Sequence, residues 1–418
     1  MKTKAVRLYG KKDLRLEEFD LPPIQDDEIL AHVVSDSLCM STYKAAVRGS
    51  EHKRVPGDIA EHPTIVGHEC SGTILEVGAK WKEKYHTGRK FSIQPAIPGY
   101  IEAPGYSYRF CGGNATDIVL PPELMENNCL LEYSGKGFFP ASLSEPMSCI
   151  IAAFHSMYRT RHGRHDHEMG TVQGGNVAIL AGVGPMGLGA IDYAIHRDRK
   201  PGLLVVTDID DARLARAASL LSPEEAQRQG VKLLYVNTRD IQDVPAHLIG
   251  LTDGKGFDDV FVFAPVRPVV ECGDRILGRE GCLNFFAGPT DEQFSAPVNF
   301  YNIHYSATHV MGTTGGNTDD MVEALNLMSQ GRINPACMIT HVGGLNAVAE
   351  TTLNLPDIPG GKKLIYSDIE MDLTAIDEFT AKGETDPLCA ELARITDENN
   401  GLWSVEAEEY LLDKAKRS

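Results

Sequence analysis

The sequence predicts an α/β fold that combines an irregular antiparallel β domain with a doubly wound parallel sheet. In the first part of the chain, short apolar runs are broken by glycine and proline, as in antiparallel β structure. From about residue 176, short apolar runs alternate with amphipathic helical stretches, which is typical of parallel βαβ units. The chain has 418 residues, enough for two domains.

The antiparallel domain is predicted to be discontinuous in the sequence. Its predicted strands are ILAHVVS, GTILEVG, RKFSIQPAI and ATDIVLP. Residues 95–116 are rich in glycine, proline and tyrosine and are expected to form a long excursion. Because mixed character returns after about residue 333, we expect residues 1–155 and 333–418 to form one domain around an inserted domain of residues 156–332.

The last part of the chain, from about residue 367, is expected to be an acidic helical extension. Its apolar residues recur at helical spacing, for example at Leu388, Leu392 and Ile395. We expect this extension to pack its apolar face on the body of the protein or on a neighbouring subunit.

The inserted domain carries a glycine fingerprint. Gly182, Gly184 and Gly187 have the spacing G-x-G-x-x-G between the predicted strand NVAILA and a predicted helix, and Asp208 ends the next strand about 20 residues further on. The first glycine permits a tight turn, the second lets the backbone approach a pyrophosphate, and the third lets helix and strand pack closely. Amides at the helix N-terminus would bind the phosphates. These features predict a Rossmann nucleotide-binding domain, the alternative being a glycine turn without ligand.

Asp208 bears on which dinucleotide binds. Its carboxylate would accept hydrogen bonds from the adenosine ribose hydroxyls and would repel the 2′-phosphate of NADP. The sequence therefore favours NAD(H), with NADP(H) as the alternative, because Arg213 follows closely and would soften that preference.

The segment IVGHECSG places His68 beside Glu69 after an apolar run. Such a pair is usually a solvated or hydrogen-bonded surface feature. A zinc site would need further ligands from distant segments, because zinc takes about four. Candidates are Cys39, in the segment DSLCMSTYK, and Glu145, which directly precedes Pro146.

These motifs resemble the zinc-dependent medium-chain alcohol and polyol dehydrogenase family over about residues 1–366. The family motif G-H-E-x-x-G-x(5)-G appears in this sequence at Gly67, His68, Glu69, Gly72 and Gly78, and a later GGN element appears at residues 315–317. The resemblance implies a GroES-like irregular β catalytic domain, a Rossmann domain, and hydride transfer between a nicotinamide cofactor and a substrate alcohol or carbonyl carbon.

The resemblance also assigns the metal ligands. Cys39, His68 and Glu145 are expected to hold one catalytic zinc per subunit, with Glu69 as an additional or exchangeable ligand. A zinc ion there would act as a Lewis acid on the substrate oxygen. Ser41 is expected to pass the alcohol proton toward solvent, because a hydroxyl both donates and accepts hydrogen bonds.

Three departures from the family pattern affect these expectations. Lys44 stands where the family often has the histidine that ends the proton relay, so either the relay ends differently or Lys44 has another catalytic role. Thr42 replaces an aspartate. The structural zinc lobe needs four closely spaced cysteines, whereas the 95–116 excursion contains only Cys111, so no structural zinc is expected.

A basic segment follows the Cys39 loop in an otherwise acidic chain. A charge run is usually a solvated face, yet here Lys44, Arg48, Lys53 and Arg54 are candidates for binding a substrate phosphate. Together with the Glu-Pro pair, the segment resembles the sugar-phosphate reductases of the family. That resemblance implies reduction of L-sorbose 1-phosphate to glucitol 6-phosphate. The alternatives are an unphosphorylated polyol (sorbitol-like) or other secondary-alcohol dehydrogenase, and a nucleotide-binding protein without catalysis.

Composition limits the other partners. A formal charge of −18 disfavours nucleic acid and anionic membranes, because the summed field repels phosphate. No stretch approaches the roughly 20 apolar residues that span a bilayer, and the N-terminus lacks an apolar signal core. The nine dispersed cysteines do not resemble a disulfide framework. We expect a cytoplasmic enzyme with a small sugar or sugar-phosphate substrate, and the family resemblance implies a homodimer or homotetramer.

Overall fold

The structure is a computed structural model that describes residues 1–161 and 163–417. The chain divides into two compact units. Unit 1 comprises Met1–Glu145, Asn317–Gly331 and Met338–Ser418, and unit 2 comprises Pro146–Gly316 and Arg332–Cys337.

The strands follow in chain order. They are β1 (Lys2–Gly10), β2 (Asp13–Asp20), β3 (Ile29–Leu38), β4 (Thr64–Ile65), β5 (Cys70–Val77), β6 (Lys90–Ile93), β7 (Asp117–Leu120), β8 (Leu130–Tyr133), β9 (Tyr158–Thr160), β10 (His167–Met169), β11 (Asn176–Leu180), β12 (Leu203–Asp208), β13 (Lys232–Asn237), β14 (Phe257–Val262), β15 (Leu277–Phe285), β16 (His309–Gly312), β17 (Ile339–Gly344), β18 (Lys362–Tyr366) and β19 (Thr374–Ala375).

The α-helices lie between and after these strands. They are α1 (Met40–Arg48), α2 (Pro122–Glu126), α3 (Phe139–Ser142), α4 (Ser144–Ser156), α5 (Pro185–His196), α6 (Asp211–Leu220), α7 (Pro223–Arg228), α8 (Val244–Gly250), α9 (Arg267–Arg275), α10 (Phe300–Ser306), α11 (Thr318–Ser329), α12 (Val348–Asn354), α13 (Phe379–Lys382), α14 (Pro387–Glu398) and α15 (Val405–Lys414). In the described residues, no helix is both long and apolar enough to cross a membrane.

Unit 2 is built on a six-stranded parallel sheet with the order β13-β12-β11-β14-β15-β16. This order is the doubly wound arrangement in which ligands bind at the carboxyl ends of the central strands, where the strand order reverses. The predicted strands and helices from residue 176 onward are observed as β11, α5, β12, α6, β14 and β15. Strand β13 was not predicted from the sequence.

Unit 1 contains a three-stranded sheet, β2-β1-β4, and a larger mixed sheet with the order β19-β17-β18-β3-β5-β6-β8, in which β7 also pairs with β3. Strand β3 is central, because it pairs with β5, β7 and β18. Its buried apolar side chains, including Ile29, Ala31 and Val33, lie in the core of the unit. The hairpin of β1 and β2 was not among the predicted strands.

The boundaries of the two units differ from the predicted domain boundaries. The first division falls at Glu145 rather than at residue 155, and Asn317–Gly331 belongs to unit 1 rather than to the inserted domain. Packing explains the second difference, because Leu325 of α11 forms a buried cluster with Tyr133 and Ala141 of unit 1.

The C-terminal extension is helical from Phe379 onward, as its sequence pattern predicts, but it also contains strand β19, which pairs with β17 and was not predicted. Helix α14 begins with Pro387 at its first position, and the side chain of Asp386 caps it by accepting a hydrogen bond from the Leu388 amide (2.9 Å). Leu392 and Ile395 are buried. The extension belongs to unit 1.

Candidate active site

Cys39, His68 and Glu69 come together in unit 1. One ligand atom from each residue lies within 4.8 Å of the others, and His68 and Glu69 are buried. Cys39 occupies the N-cap position of α1, whereas the other two residues lie between β4 and β5. The structure therefore brings together three of the four sequence-predicted ligands, with Cys39 coming from a different segment than the adjacent pair His68 and Glu69.

The loop before His68 is held by a buried carboxylate. Asp36 accepts a hydrogen bond from the Glu69 amide (2.9 Å) and another from the Asn114 side chain (2.7 Å). Gly67 has a φ of 91°, and a Cβ there would lie 2.7 Å from both Asp36 Oδ2 and the backbone nitrogen of Asn114. Only glycine fits this crowded left-handed position, which explains the first glycine of the motif.

His68 is positioned through both ring nitrogens. Thr42 Oγ1 lies 3.3 Å from Nδ1, and the Tyr106 hydroxyl lies 3.4 Å from Nε2. Burial lowers the pKa of His68 to about 4, so the imidazole is neutral, as a metal ligand must be. Thr42, which departs from the family pattern, thus contacts the candidate ligand directly.

Burial, two carboxylates and one ammonium influence Cys39, because burial, Glu69 and Glu145 raise the pKa of its thiol and Lys362 lowers it. Burial, followed by the charge of Glu69, raises the pKa of this thiol to about 12, and the charge of Glu145 adds to the effect. An uncompensated thiolate is therefore disfavoured here, whereas a bound cation would stabilise it.

Glu69 forms a buried ion pair that the sequence analysis missed. Lys362 Nζ lies 2.5 Å from Oε1 and 2.6 Å from Oε2, and the Ser37 hydroxyl also donates to Oε2. Burial lowers the pKa of Lys362, but Glu69 and Cys39 more than offset this and the net shift is upward, so the ammonium stays charged. A lysine at the start of the apolar run KKLIY was the available signal.

Glu145 lies in the first turn of α4 and is half-buried. Its carboxylate is close enough to contribute to the raised pKa values of Cys39, Tyr106 and Lys362. It is therefore part of the same electrostatic environment as the three grouped residues.

Tyr106 is the second functional residue that the sequence analysis missed. Besides contacting His68, its hydroxyl is hydrogen-bonded to Ser41, the predicted relay residue, which is exposed. Burial raises the pKa of Tyr106 well above its usual value, so the hydroxyl stays protonated. Tyr106 belongs to the glycine-, proline- and tyrosine-rich excursion, where composition alone did not single it out.

The basic segment lies partly beside Tyr106. The Arg54 guanidinium is 5.5 Å from the centre of the Tyr106 ring, and the His52 ring stacks on the same tyrosine at 5.6 Å. Burial lowers the pKa of His52, and the charges of Arg54, Arg48 and Lys53 lower it further.

The four predicted phosphate ligands differ in exposure. Arg48 and Lys53 are exposed, whereas Lys44, on α1, and Arg54 are half-buried. Of these four, Arg54 is the one that contacts an aromatic ring adjoining His68.

The glycine fingerprint follows β11 in unit 2. A Cβ at Gly182 would lie 2.4 Å from Ile179 Cγ2, and one at Gly187 would lie 2.0 Å from the Gly182 carbonyl oxygen. At Gly184 a Cβ would meet only Arg213 Nη2, at 3.6 Å. The first and third glycines are thus required by packing, whereas the second leaves the backbone accessible.

Asp208 is the last residue of β12. Its Oδ1 accepts hydrogen bonds from the amides of Ile209 (2.8 Å) and Asp210 (3.2 Å), which fix the direction of the carboxylate. This geometry and the accessible backbone at Gly184 fit a dinucleotide bound at the carboxyl end of the sheet.

The donor set of unit 1 fits zinc. A thiol, a neutral imidazole and carboxylates are the ligands that this borderline-soft cation takes in proteins. The carboxylates of Glu69 and Glu145 near Cys39 also favour a bound cation.

Comparison with known proteins agrees with this site. Residues 185–330 match the family model described as zinc-binding dehydrogenase. The chain is 52% identical over 414 residues to mannitol-1-phosphate 5-dehydrogenase of Aliivibrio fischeri, covering 98% of this chain and 97% of that protein. It is 48% identical over 416 residues to L-sorbose 1-phosphate reductase of Klebsiella pneumoniae, covering 99% and 98% respectively.

The fold has close counterparts among solved structures. It resembles the crystal structure of 2R,3R-butanediol dehydrogenase from Bacillus subtilis with a TM-score of 0.69 and 20% identity, covering 88% of this chain and 100% of that chain. The predicted fold class, GroES-like plus Rossmann, is confirmed. Because relatives of about half-identical sequence span nearly the whole chain, the protein is an oxidoreductase that belongs to the medium-chain polyol dehydrogenase family.

Proposed function

We propose that this protein is a zinc-dependent, NAD(H)-linked enzyme that reduces L-sorbose 1-phosphate to glucitol 6-phosphate. The grouping of Cys39 with the neutral imidazole of His68 and the carboxylate of Glu69 is the observation that carries the zinc assignment. The name of the relative from Klebsiella pneumoniae supports the choice of substrate.

In this proposal Cys39, His68 and Glu145 hold one zinc ion per chain. Glu69 is proposed as an exchangeable ligand. Its carboxylate is paired with Lys362, so binding to the metal competes with this ion pair. When bound, zinc supplies a Lewis acid for the oxygen of the substrate carbon that exchanges hydride with the nicotinamide.

The hydroxyls of Ser41 and Tyr106 are proposed to move the substrate proton. They are hydrogen-bonded to each other, and the exposure of Ser41 gives the pair contact with solvent. A hydroxyl donates and accepts at once, so the proton on the Ser41 oxygen is replaced as it leaves. Lys44 remains a candidate for the end of this relay, because it follows on the same helix.

NAD(H) is proposed over NADP(H) because the fixed carboxylate of Asp208 would repel a 2′-phosphate. Arg213 lies beside Gly184 and is proposed to contact the cofactor phosphates. The ratio of kcat/KM for NADH to that for NADPH tests this choice directly.

A substrate phosphate is proposed to bind at Arg54, with Lys44, Arg48 and Lys53 adding positive charge. Arg54 is half-buried beside Tyr106, where an ion pair is screened less than at the open surface. The bidentate geometry of a guanidinium suits phosphate oxygens.

The first experiment compares substrates on protein of known zinc content. L-sorbose 1-phosphate, unphosphorylated sorbose and fructose are reduced with NADH or NADPH, and mannitol 1-phosphate is oxidised with NAD. Mannitol 1-phosphate is the second candidate because of the 52% identical relative. Preference for L-sorbose 1-phosphate supports the proposal, whereas equal turnover of free sugars would identify an unphosphorylated polyol dehydrogenase instead.

A pair of arginine variants tests the phosphate contact. Arg54→Met is expected to raise KM for the phosphorylated substrate at least about tenfold while leaving KM for a free sugar nearly unchanged, because a free sugar has no phosphate to pair with the guanidinium. Arg15→Met is the matched control, since Arg15 also lies over a tyrosine ring, that of Tyr9, at 4.2 Å. Equal effects of the two variants would contradict the assignment.

A homodimer or homotetramer is also proposed. Phe300, Tyr301 and Tyr305 are exposed on α10, and large exposed aromatic surfaces often mark association sites. Light scattering after size-exclusion chromatography measures the state, and Tyr301→Lys should shift it toward the monomer. A wild-type protein that stays monomeric at micromolar concentration would refute this proposal.

A further inference from the structure

The C-terminal extension carries a buried carboxylate that reaches the body of unit 1. Glu408 of α15 is 1% exposed. Its Oε1 accepts a hydrogen bond from the Phe138 amide (2.5 Å), and its Oε2 accepts one from the Phe139 amide (2.8 Å). These amides begin α3, whose first turn has no acceptor of its own. The partner residues are 270 and 269 positions away in sequence.

The same carboxylate also binds the end of β18. The Tyr366 hydroxyl donates to Glu408 Oε2 (2.8 Å) and accepts a hydrogen bond from the Trp403 indole (2.8 Å). Trp403 and Tyr366 are both buried. Glu408 therefore joins three separate segments of unit 1: α3, β18 and the extension itself.

Both segments held by Glu408 lead to the candidate metal site. Helix α3 is followed directly by α4, whose first turn contains Glu145. Strand β18 begins with Lys362, the partner of Glu69. A shift of α3 would move the Glu145 carboxylate, and a shift of β18 would move Lys362, the counter-ion of Glu69.

The local backbone is shaped to receive this carboxylate. Gly137 has a φ of 70°, and a Cβ there would lie 2.8 Å from Glu408 Oε1. Further along, the Ser142 hydroxyl donates to the Ser35 carbonyl of β3 (3.0 Å), and the Ser144 hydroxyl lies 3.1 Å from the Ser92 hydroxyl of β6. From Phe138 to Ser144 the chain is thus held at both ends, which transmits its position to Glu145.

We propose that Glu408 is a positioning residue for the metal site. By fixing the first turn of α3 and the Tyr366 hydroxyl, it sets where Glu145 and Lys362 stand, so the acidic extension contributes to the geometry of the metal site. This inference rests on the zinc assignment made above, and it concerns zinc affinity rather than the identity of the substrate.

The test measures the zinc dissociation constant of full-length protein by competition with a chromophoric chelator. Glu408→Gln is expected to weaken zinc binding about tenfold, the lower end of the range seen when a direct hydrogen-bond partner of a ligand is removed, because Glu408 acts on Glu145 and Lys362 only through α3 and β18. A glutamine keeps the shape, but its side-chain NH2 is a hydrogen-bond donor and would face a donor that the carboxylate now accepts from. Glu409→Gln is the matched control, because Glu409 is exposed on the same helix. It should bind zinc like the wild type.

A second variant covers the case in which Glu408→Gln does not fold. Tyr366→Phe removes one of the three hydrogen bonds to the carboxylate and should weaken zinc binding about threefold. Folded variants with wild-type zinc affinity would overturn the inference, even if their thermal stability fell, because they would show a merely structural role. A wild-type protein that binds no zinc would overturn the zinc assignment itself, so the two failures are distinguishable.

Discussion

At the residue scale, the buried pair of Glu69 and Lys362 has a large energetic consequence. The side chains are 1% and 8% exposed, so their charges are poorly solvated and depend on each other. Burying two charges is costly unless they are paired and hydrogen-bonded, and Ser37 supplies a further hydrogen bond. The pair therefore fixes a carboxylate next to His68 at a considerable desolvation cost.

Replacing Lys362 with methionine should destabilise the protein by about 3 kcal/mol, because it leaves the Glu69 carboxylate buried without a counter-ion. Chemical denaturation measures the loss. The double variant Lys362→Met with Glu69→Gln should recover part of it, because the uncompensated charge is removed as well. A single variant as stable as the wild type would show that Glu69 is solvated or protonated in the native protein.

At the element scale, the turn between β11 and α5 depends on a close backbone approach. The Gly182 carbonyl oxygen occupies the position where a side chain at residue 187 would begin. The carbonyl oxygen belongs to the backbone of the turn, and a Cβ at residue 187 would be attached to the backbone of α5. The clash could therefore be relieved only by shifting the turn or the helix.

Gly187→Ala is therefore expected to weaken dinucleotide binding at least about tenfold and to cost roughly 1–3 kcal/mol of stability through overpacking. Fluorescence titration with NADH and chemical denaturation measure the two effects. Gly250→Ala is the control, because a Cβ at Gly250, at the end of α8, meets nothing within 4 Å. If Gly187→Ala bound NADH as tightly as the wild type, the proposed role of this turn would be wrong.

A second feature at this scale joins β3, β7 and the start of the extension. His32 lies between Asp117 (3.1 Å) and Asp368 (2.9 Å), and Arg417 also approaches Asp368 at 3.6 Å. Hydrogen bonds with Asp117 and then Asp368 raise the pKa of His32 from 6.5 to about 10. Between pH 6.5 and about 10, His32 is therefore protonated in the folded protein but neutral in the unfolded chain.

The stabilising contribution of His32 should accordingly be complete below pH 6.5 and decline as the pH rises toward 10. Replacing His32 with glutamine should cost about 2 kcal/mol at pH 6 and much less near pH 10. Urea unfolding at both pH values checks this, with the exposed His62→Gln as control. A cost independent of pH would show that the charge of His32 does not contribute.

At the scale of the whole molecule, each unit has its own apolar core. Among the described residues, buried clusters lie around Ile74, Val66 and Leu325 in unit 1 and around Val260 in unit 2. Cores of this size fold without help from a metal, in contrast to small zinc domains.

Removing zinc with a chelator should therefore abolish turnover while lowering the thermal midpoint by only about 5 °C, the shift expected when a ligand at about 100 times its Kd is lost. Calorimetry and activity of the same sample provide the measurement, and re-addition of Zn²⁺ but not Mg²⁺ should restore both. Full activity after verified zinc removal would contradict the proposed function, and unfolding on removal would assign the metal a structural role.

The sequence by itself determined the features that depend on local pattern. The alternation of strands and helices and the spacing of Gly182, Gly184 and Gly187 were sufficient to predict the parallel sheet and its glycine turn, because these properties lie within some tens of residues. The family resemblance, carried by His68 and its neighbours, added the expected fold of unit 1, and the comparisons confirm that fold.

Only the tertiary structure decided which distant residues meet. Lys362 reaches Glu69 across 293 positions, and Glu408 reaches Phe138 across 270. Periodicity carries no information about such pairs, because a buried charge is stable only beside a partner whose position the whole fold sets. The position of Tyr106 beside His68 and the assignment of residues 317–331 to unit 1 likewise depend on contacts between distant parts of the chain. Only the tertiary structure shows them.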